Sequence, residues 1–105
     1  MKKQIEFTNS AWKFYTEQSE KVRNAFDVNI MELSESGELH VPNAKKIAPN
    51  LYEIRVKVSP NQYRLLYCYA DDDKVLILSG FVKKTQKTPK AEIEKAKSIR
   101  KAAGV

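Results

Sequence analysis

The spacing of hydrophobic and polar positions changes midway along the chain. In the first part, apolar residues recur every three or four positions, which places them on one face of a helix. The residues on this face are Val22, Phe26, Ile30 and Leu33. Ser19 is a suitable N-cap for this helix, and Gly37 is a suitable residue to end it. Together with a shorter helix before Ser19 and an initial strand, QIEF, the pattern predicts a strand followed by a helical hairpin.

From residue 51 onward the spacing is every second residue. The segment LYEIRVKV alternates apolar and charged side chains, which is typical of a strand with one buried face. Two more apolar segments, YRLLYCYA and VLILSGFV, are joined by an acidic turn, DDDK. These three segments predict an antiparallel meander. The polar segment before it, residues 38–50, contains two prolines and predicts a loop.

A third helix is predicted after the last strand. Thr88 is a natural N-cap, Pro89 is a natural first helical residue, and Ile93, Ala96 and Ile99 form a thin apolar stripe. The predicted order is therefore β-α-α-β-β-β-α. We expect a single α+β domain over residues 1–105, with a basic C-terminal helix and with the helices on one face of the sheet.

Strand alternation predicts where the charges lie. If Pro60 and Asn61 form a two-residue hairpin loop, then Arg55, Lys57 and Arg64 share one face of the sheet. The opposite face is then apolar and aromatic, and it should pack on the helical hairpin. A loop of odd length would reverse this assignment, because one residue of slip moves every side chain to the other face.

Two interpretations of this charged face are open. Like charges on neighbouring strands are mildly destabilising. In the first interpretation, an acidic neighbour such as Glu53 relieves this repulsion and the charged face has no ligand. In the second, the cations form an anion site that is satisfied when a phosphate binds. Lys83 and Lys84 leave the last strand nearby and could close over the same patch.

The net charge of +6 is concentrated at one end of the chain. Residues 1–82 contain 11 basic and 11 acidic residues, whereas residues 83–105 contain eight basic and two acidic ones. A localised basic segment favours phosphate-rich partners such as nucleic acid. The alternative is that these lysines form an ordinary solvated surface that keeps the protein soluble. No apolar run approaches the roughly 20 residues of a transmembrane helix, and MKKQIEF does not resemble a secretory signal.

The available side chains limit the chemistry. His40 lies in the predicted loop away from Cys68, and we expect neither a metal site nor a cofactor. RNA, however, carries its own nucleophile in the 2′-hydroxyl, and arginine and lysine can stabilise the charge that develops on a phosphate under attack. A general base is still useful. A tyrosine or Lys57 is a candidate, because neighbouring cations lower the pKa of a lysine.

Three segments together resemble the phage-related HigB-type toxins of the RelE/ParE superfamily. They are LYEIRVKV, YRLLYCY and LSGFVKKTQKTPKAEIEKAKSIR. The resemblance implies a RelE-like fold and a cytoplasmic toxin of a type II toxin–antitoxin system, which cleaves mRNA on the ribosome and is neutralised by a helix-turn-helix antitoxin. It also implies that Arg55, Arg64, Lys83 and Lys84 bind phosphate and stabilise charge. The charged-face argument adds Lys57 to this catalytic group, and weaker candidates for RNA contacts are Gln86, Lys87, Thr88 and Lys90.

The C-terminal segment departs from several members of the superfamily. These place a tyrosine or histidine there, whereas this chain ends in SIRKAAGV. The departure leaves two alternatives open. One is a ParE-like toxin that binds DNA gyrase without cleaving RNA, and the other is an inactive family member.

Overall fold

The computed structural model describes residues 2–105 and contains three helices and a five-stranded sheet. In chain order the elements are β1 (Gln4–Phe7), α1 (Asn9–Thr16), α2 (Glu20–Ser36), β2 (Ala44–Ala48), β3 (Leu51–Val58), β4 (Asn61–Asp71), β5 (Lys74–Lys83) and α3 (Lys90–Ala102). The predicted α+β class is confirmed. The loop predicted for residues 38–50 is partly wrong, because β2 forms within it.

The strands are ordered β1-β5-β4-β3-β2 across one sheet. β3, β4 and β5 form the predicted antiparallel meander, and β2 adds an antiparallel neighbour to β3. By contrast, β1 pairs with β5 in parallel, with Gln4 opposite Lys74. The strand missed by the sequence pattern, β2, is an edge strand whose pairing with β3 is interrupted by a bulge between Lys46 and Ala48. Its formation depends on its neighbour, since its own residues do not alternate.

The helical hairpin covers the first face of the sheet. Phe26 and Leu33 of α2 are fully buried there against Ile54 and Leu65 of the central strands. Ser19 accepts a hydrogen bond from the Val22 amide at 3.3 Å, so the predicted N-cap of α2 is confirmed. The predicted end of α2 is confirmed too, because Gly37 has a left-handed φ of 87° that a glycine adopts without strain.

The third helix, α3, covers part of the second face, so the expectation that all helices lie on one face is wrong. Ala96 is buried, and Ile93 and Ile99 pack beside it on a separate apolar cluster that includes Leu66 and Cys68. Arg100 anchors the helix, since its guanidinium donates to the carbonyl oxygens of Pro49 and Asn50 at 2.8 Å. The sheet is therefore the middle of three layers.

The β3–β4 hairpin differs in register from the prediction but keeps its parity. Val58 pairs with Asn61, so the loop consists of Ser59 and Pro60, not Pro60 and Asn61. Arg55 consequently lies directly opposite Arg64. Because the register is displaced by an even number of residues, the predicted division of side chains between the two faces is confirmed.

Candidate phosphate-binding site

The part of the second face that α3 leaves uncovered carries the predicted cations. Two cross-strand rows define it: Arg55 opposite Arg64, and Gln62 opposite both Lys57 and Lys83. We call this surface, formed by Arg55, Lys57, Arg64 and Lys83, the basic face. Strand pairing alone brings these four side chains together, since they come from β3, β4 and β5.

Arg64 is the buried centre of the basic face, with 2% of its surface exposed. Its guanidinium donates to Gln62 Oε1 at 2.6 Å and to the Tyr63 carbonyl oxygen at 3.2 Å. Its Nε has no hydrogen-bond partner within residues 2–105. Burial lowers the pKa of Arg64, an effect that the charge of Glu53 opposes and that of Arg55 reinforces. The arginine is fixed in position, and its buried Nε faces Glu53.

Glu53 provides the internal counter-charge. It is 1% exposed, and its Oε1 lies 3.6 Å from Arg64 Nε and 3.9 Å from Arg55 Nε. Its Oε2 accepts a hydrogen bond of 2.8 Å from the Thr88 hydroxyl. The expectation that an acidic neighbour relieves the arginine repulsion is therefore met by this side chain. We call Arg55, Arg64 and Glu53 the arginine site.

This contact also explains why Thr88 does not cap α3. The helix begins after Pro89, which makes no side-chain capping bond. The predicted N-cap role of Thr88 is thus wrong, because the long-range carboxylate of Glu53 takes its hydroxyl. The hydrogen bond ties the basic segment before α3 to the arginine site.

Lys83 lies at the end of β5, beside the arginine site. The pKa of Lys83 is lowered, first by partial burial and then by Arg64, while Glu53 opposes the shift and Arg55 and Lys45 add to it. A lysine with a lowered pKa gives up its proton more easily than an ordinary surface lysine. Lys83 therefore has the electrostatic setting that the sequence argument assigned to Lys57.

Lys57 is more exposed, and it lines a groove of about 320 Å³ together with Arg55, Arg64 and Gln62. A second groove, of about 640 Å³, is lined by Lys83, Lys84 and Gln86 on one side and by residues 60–62 on the other. These two grooves place on adjoining surface Gln62 and six of the side chains predicted from sequence.

The remaining predicted residues are distributed more widely. Lys87 and Thr88 line a third groove with Lys45 and Lys46 of β2, whereas Lys90 is the exposed first residue of α3 and lines none of the three grooves. Sequence reasoning missed Lys45, Lys46 and Gln62 as lining residues of these grooves. Gln62 was detectable from the strand alternation, but the two β2 lysines were not, because their strand was read as a loop.

The arrangement is suited to binding an anion. Three cations, Arg55, Arg64 and Lys83, face one surface with a single carboxylate between them. Within residues 2–105 there is no cluster of three His, Cys, Asp or Glu side chains that could hold a metal ion. None of the helices in that range is both long and apolar enough to cross a membrane.

Comparison with known proteins identifies the fold. The sequence profile of the family described as "Phage derived protein Gp49-like (DUF891)" matches residues 13–101. No curated protein matches the chain significantly.

Several solved structures share the architecture. A double arginine-to-alanine mutant of the E. coli toxin RelE in the free state aligns with a TM-score of 0.66 at 24% identity, and 100% of both chains is covered. A chain of the intact E. coli RelBE toxin–antitoxin complex aligns with a TM-score of 0.60 at 26% identity over 79% of this chain and 96% of that one. A chain of the archaeal RelE–RelB complex from Pyrococcus horikoshii OT3 gives 0.54 at 16% identity over 84% and 100%.

Proposed function

Because the chain belongs to the phage-derived Gp49-like family and has the RelE fold, we propose that it is the toxin of a type II toxin–antitoxin system and cleaves mRNA on the ribosome. The observation that carries the proposal is that Arg55 and Lys83 lie around the buried Arg64, on the part of the second face that α3 leaves uncovered. A nuclease of this kind needs cations that meet at one phosphate. A protein that only docks on another protein has no such requirement.

The proposed reaction needs no external nucleophile. The ribose 2′-oxygen attacks the adjacent phosphorus, the bond from phosphorus to the 5′-oxygen breaks, and the products are a 2′,3′-cyclic phosphate and a 5′-hydroxyl. Negative charge accumulates on the non-bridging oxygens as the new bond forms. Fixed cations in a partly buried site stabilise that charge without having to reorganise. We assign this role to Arg55, whose side chain is one-third exposed, and to the charge of the buried Arg64 directly opposite it.

Two proton transfers accompany the reaction. The 2′-hydroxyl must lose a proton, and the departing 5′-oxygen must gain one. We assign the first transfer to the neutral form of Lys83, because its pKa is lowered by burial and by Arg64. This assignment replaces Lys57, which we retain with Lys84 as a contact to the substrate phosphates.

Glu53 supports the reaction indirectly. It holds both arginines from within the sheet, at 3.6 and 3.9 Å, and so offsets their repulsion when no substrate is bound. We therefore treat Glu53 as a positioning residue.

The partners follow from the proposed activity. One solved relative is a toxin in complex with its antitoxin, and we propose that a helix-turn-helix antitoxin neutralises this chain in the cytoplasm. The ribosome and mRNA are the proposed targets. The resemblance to HigB-type toxins belongs to this proposal as well.

The test is primer extension on a translated mRNA after brief induction of the protein. We expect new 5′ ends in phase with codons for the wild type and their loss in Arg55→Ala. Lys13→Ala is the matched control, because Lys13 is an exposed lysine of α1 on the other side of the sheet. Growth arrest with intact mRNA would contradict the proposal, and a supercoiling assay would then test gyrase as the target.

A further inference from the structure

A lysine-rich groove lies beside the arginine site, and Lys83 is the one lysine of its lining that the reaction proposed above uses. Its basic lining comes from three separate segments: Lys45 and Lys46 of β2, Lys83 of β5, and Lys87 of the segment before α3. The groove has a volume of about 330 Å³. We call it the lysine groove.

The positive charge of the lysine groove is not balanced. Within residues 2–105, none of its four ammonium groups lies within the 4.0 Å of a carboxylate that defines an ion pair. The one carboxylate among its lining residues is Glu53, which already faces Arg55 and Arg64 and accepts from Thr88. An anion in the groove would therefore meet cations without displacing an internal partner.

Exposed lysines on an edge strand such as β2 also discourage pairing with other sheets. Edge protection explains why lysines occur on β2, but not why Lys45 faces the arginine site. Lys45 lies directly opposite Glu53, on the sheet face that carries Arg55. Its charge contributes to the lowered pKa of Lys83, so the lysine groove and the basic face share one electrostatic field.

The geometry favours a ligand longer than one phosphate. Lys45 stands on β2 and Arg64 on β4, two strand spacings apart, which is roughly 10 Å. Lys83 is on β5, on the opposite side of β4 from Lys45, and its side chain lines both the lysine groove and the groove next to the β3–β4 turn. Ile47 and Ile93 add apolar surface to the lysine groove, which suits contact with a base or a ribose.

We propose that the lysine groove is a second phosphate subsite, which takes the backbone phosphate next to the one held at the arginine site in a single-stranded RNA. This inference rests on the proposed function, since it assigns a path to the substrate of that reaction. Lys45 and Lys87 hold the second phosphate, and Lys83 of β5 also lines the groove.

The experiment measures binding without cleavage. A short, fluorescently labelled, fully 2′-O-methylated RNA cannot be cut by 2′-oxygen attack, and its affinity is followed by anisotropy over a series of salt concentrations. The logarithm of the binding constant falls with the logarithm of salt concentration by about 0.7 for each phosphate contact to a single strand. The test variant is Lys45→Gln/Lys87→Gln, and the control is Lys13→Gln/Lys21→Gln, which removes two exposed lysines from the hairpin side.

We expect the test variant to reduce the magnitude of the salt slope by about 0.7, while the control variant leaves it unchanged. Equal slopes for the test and control variants would overturn the subsite. The primer-extension assay separates this result from the proposed activity. If the test variant has the smaller salt slope but the wild type does not cleave mRNA, the subsite is supported and the proposed nuclease activity is refuted. If cleavage depends on Arg55 but the test and control variants have equal salt slopes, the nuclease activity is supported and the subsite is refuted.

Discussion

Replacing Arg64 by alanine should weaken the fold as well as the proposed activity. The Arg64 side chain is 2% exposed and stands 3.6 Å from the Glu53 carboxylate, which is itself 1% exposed. Removing the arginine leaves a buried carboxylate that has lost its nearest cation. Arg55 differs from Arg64 because its side chain is 33% exposed and lies farther from Glu53, at 3.9 Å.

The distance between Arg64 and Glu53 sets the size of the expected loss in stability. At 3.6 Å and an effective dielectric constant of about 20, the Coulomb attraction between Arg64 and Glu53 is about 5 kcal/mol before desolvation is counted. Breaking one side of a buried pair typically costs about 3–5 kcal/mol. Arg55 remains beside Glu53, so we expect the lower end, a loss of about 3 kcal/mol in the free energy of unfolding. Arg55→Ala should cost less than about 1 kcal/mol, as for exposed pairs.

Urea denaturation of the purified variants measures both effects. With a slope of about 1–3 kcal/mol per molar urea, the Arg64→Ala midpoint should fall by roughly 1–3 M, and the Arg55→Ala midpoint by much less. Similar midpoints for the two variants would refute the reasoning from burial. The result also decides which variant tests activity, because loss of toxicity in Arg64→Ala includes a loss of folded protein, whereas loss in Arg55→Ala does not.

Three further outcomes are expected. Gly80→Ala places a Cβ atom 2.7 Å from Cε2 of Phe14, so thermal denaturation should show a loss of stability of about 1–3 kcal/mol. The same substitution should cost less in a Phe14→Leu background, because the ring that it collides with is gone; an equal cost would contradict this explanation. Burial and a hydrogen bond to Asp27 raise the pKa of Tyr15 to about 12, so its stabilisation is complete below pH 10 and is lost as pH rises towards 12. Tyr15→Phe should flatten the denaturation profile in that window, and a Tyr15 that titrates near pH 10 by ultraviolet absorbance would contradict this. If Lys83 accepts the proton, cleavage should rise with pH towards its lowered pKa, and Lys83→Arg should bind RNA but lose that rise; an unchanged pH profile would exclude the role.

The sequence predicts the faces of the central strands well because their alternation is strict. Even with the β3–β4 turn misplaced, Arg55 and Arg64 were assigned to the same face, since only an odd displacement would separate them. The helical hairpin was equally accessible, because its capping signals at Ser19 and Gly37 are local. Features encoded within a few residues of each other could be read directly.

Features that depend on distant partners could not be read in this way. The segment AKKIA between two prolines becomes β2 because β3 offers it hydrogen bonds, and nothing in its own spacing indicates a strand. Thr88 has a capping signal, yet it binds Glu53, 35 residues away. The position of α3 was missed for a related reason: its few apolar residues define a face, but not the side of the sheet on which it packs.

The parallel pairing of β1 with β5 joins parts of the chain that are far apart in sequence. Pairing Gln4 with Lys74 closes a loop of about 70 residues, which costs about 2 kcal/mol more in entropy than closing one of about ten. Such long-range pairings are associated with slow folding. Until β5 docks, β1 has no neighbour and β4 lacks one of its two. The same strand carries Lys83, so the basic face lacks that cation until β5 has paired with β4.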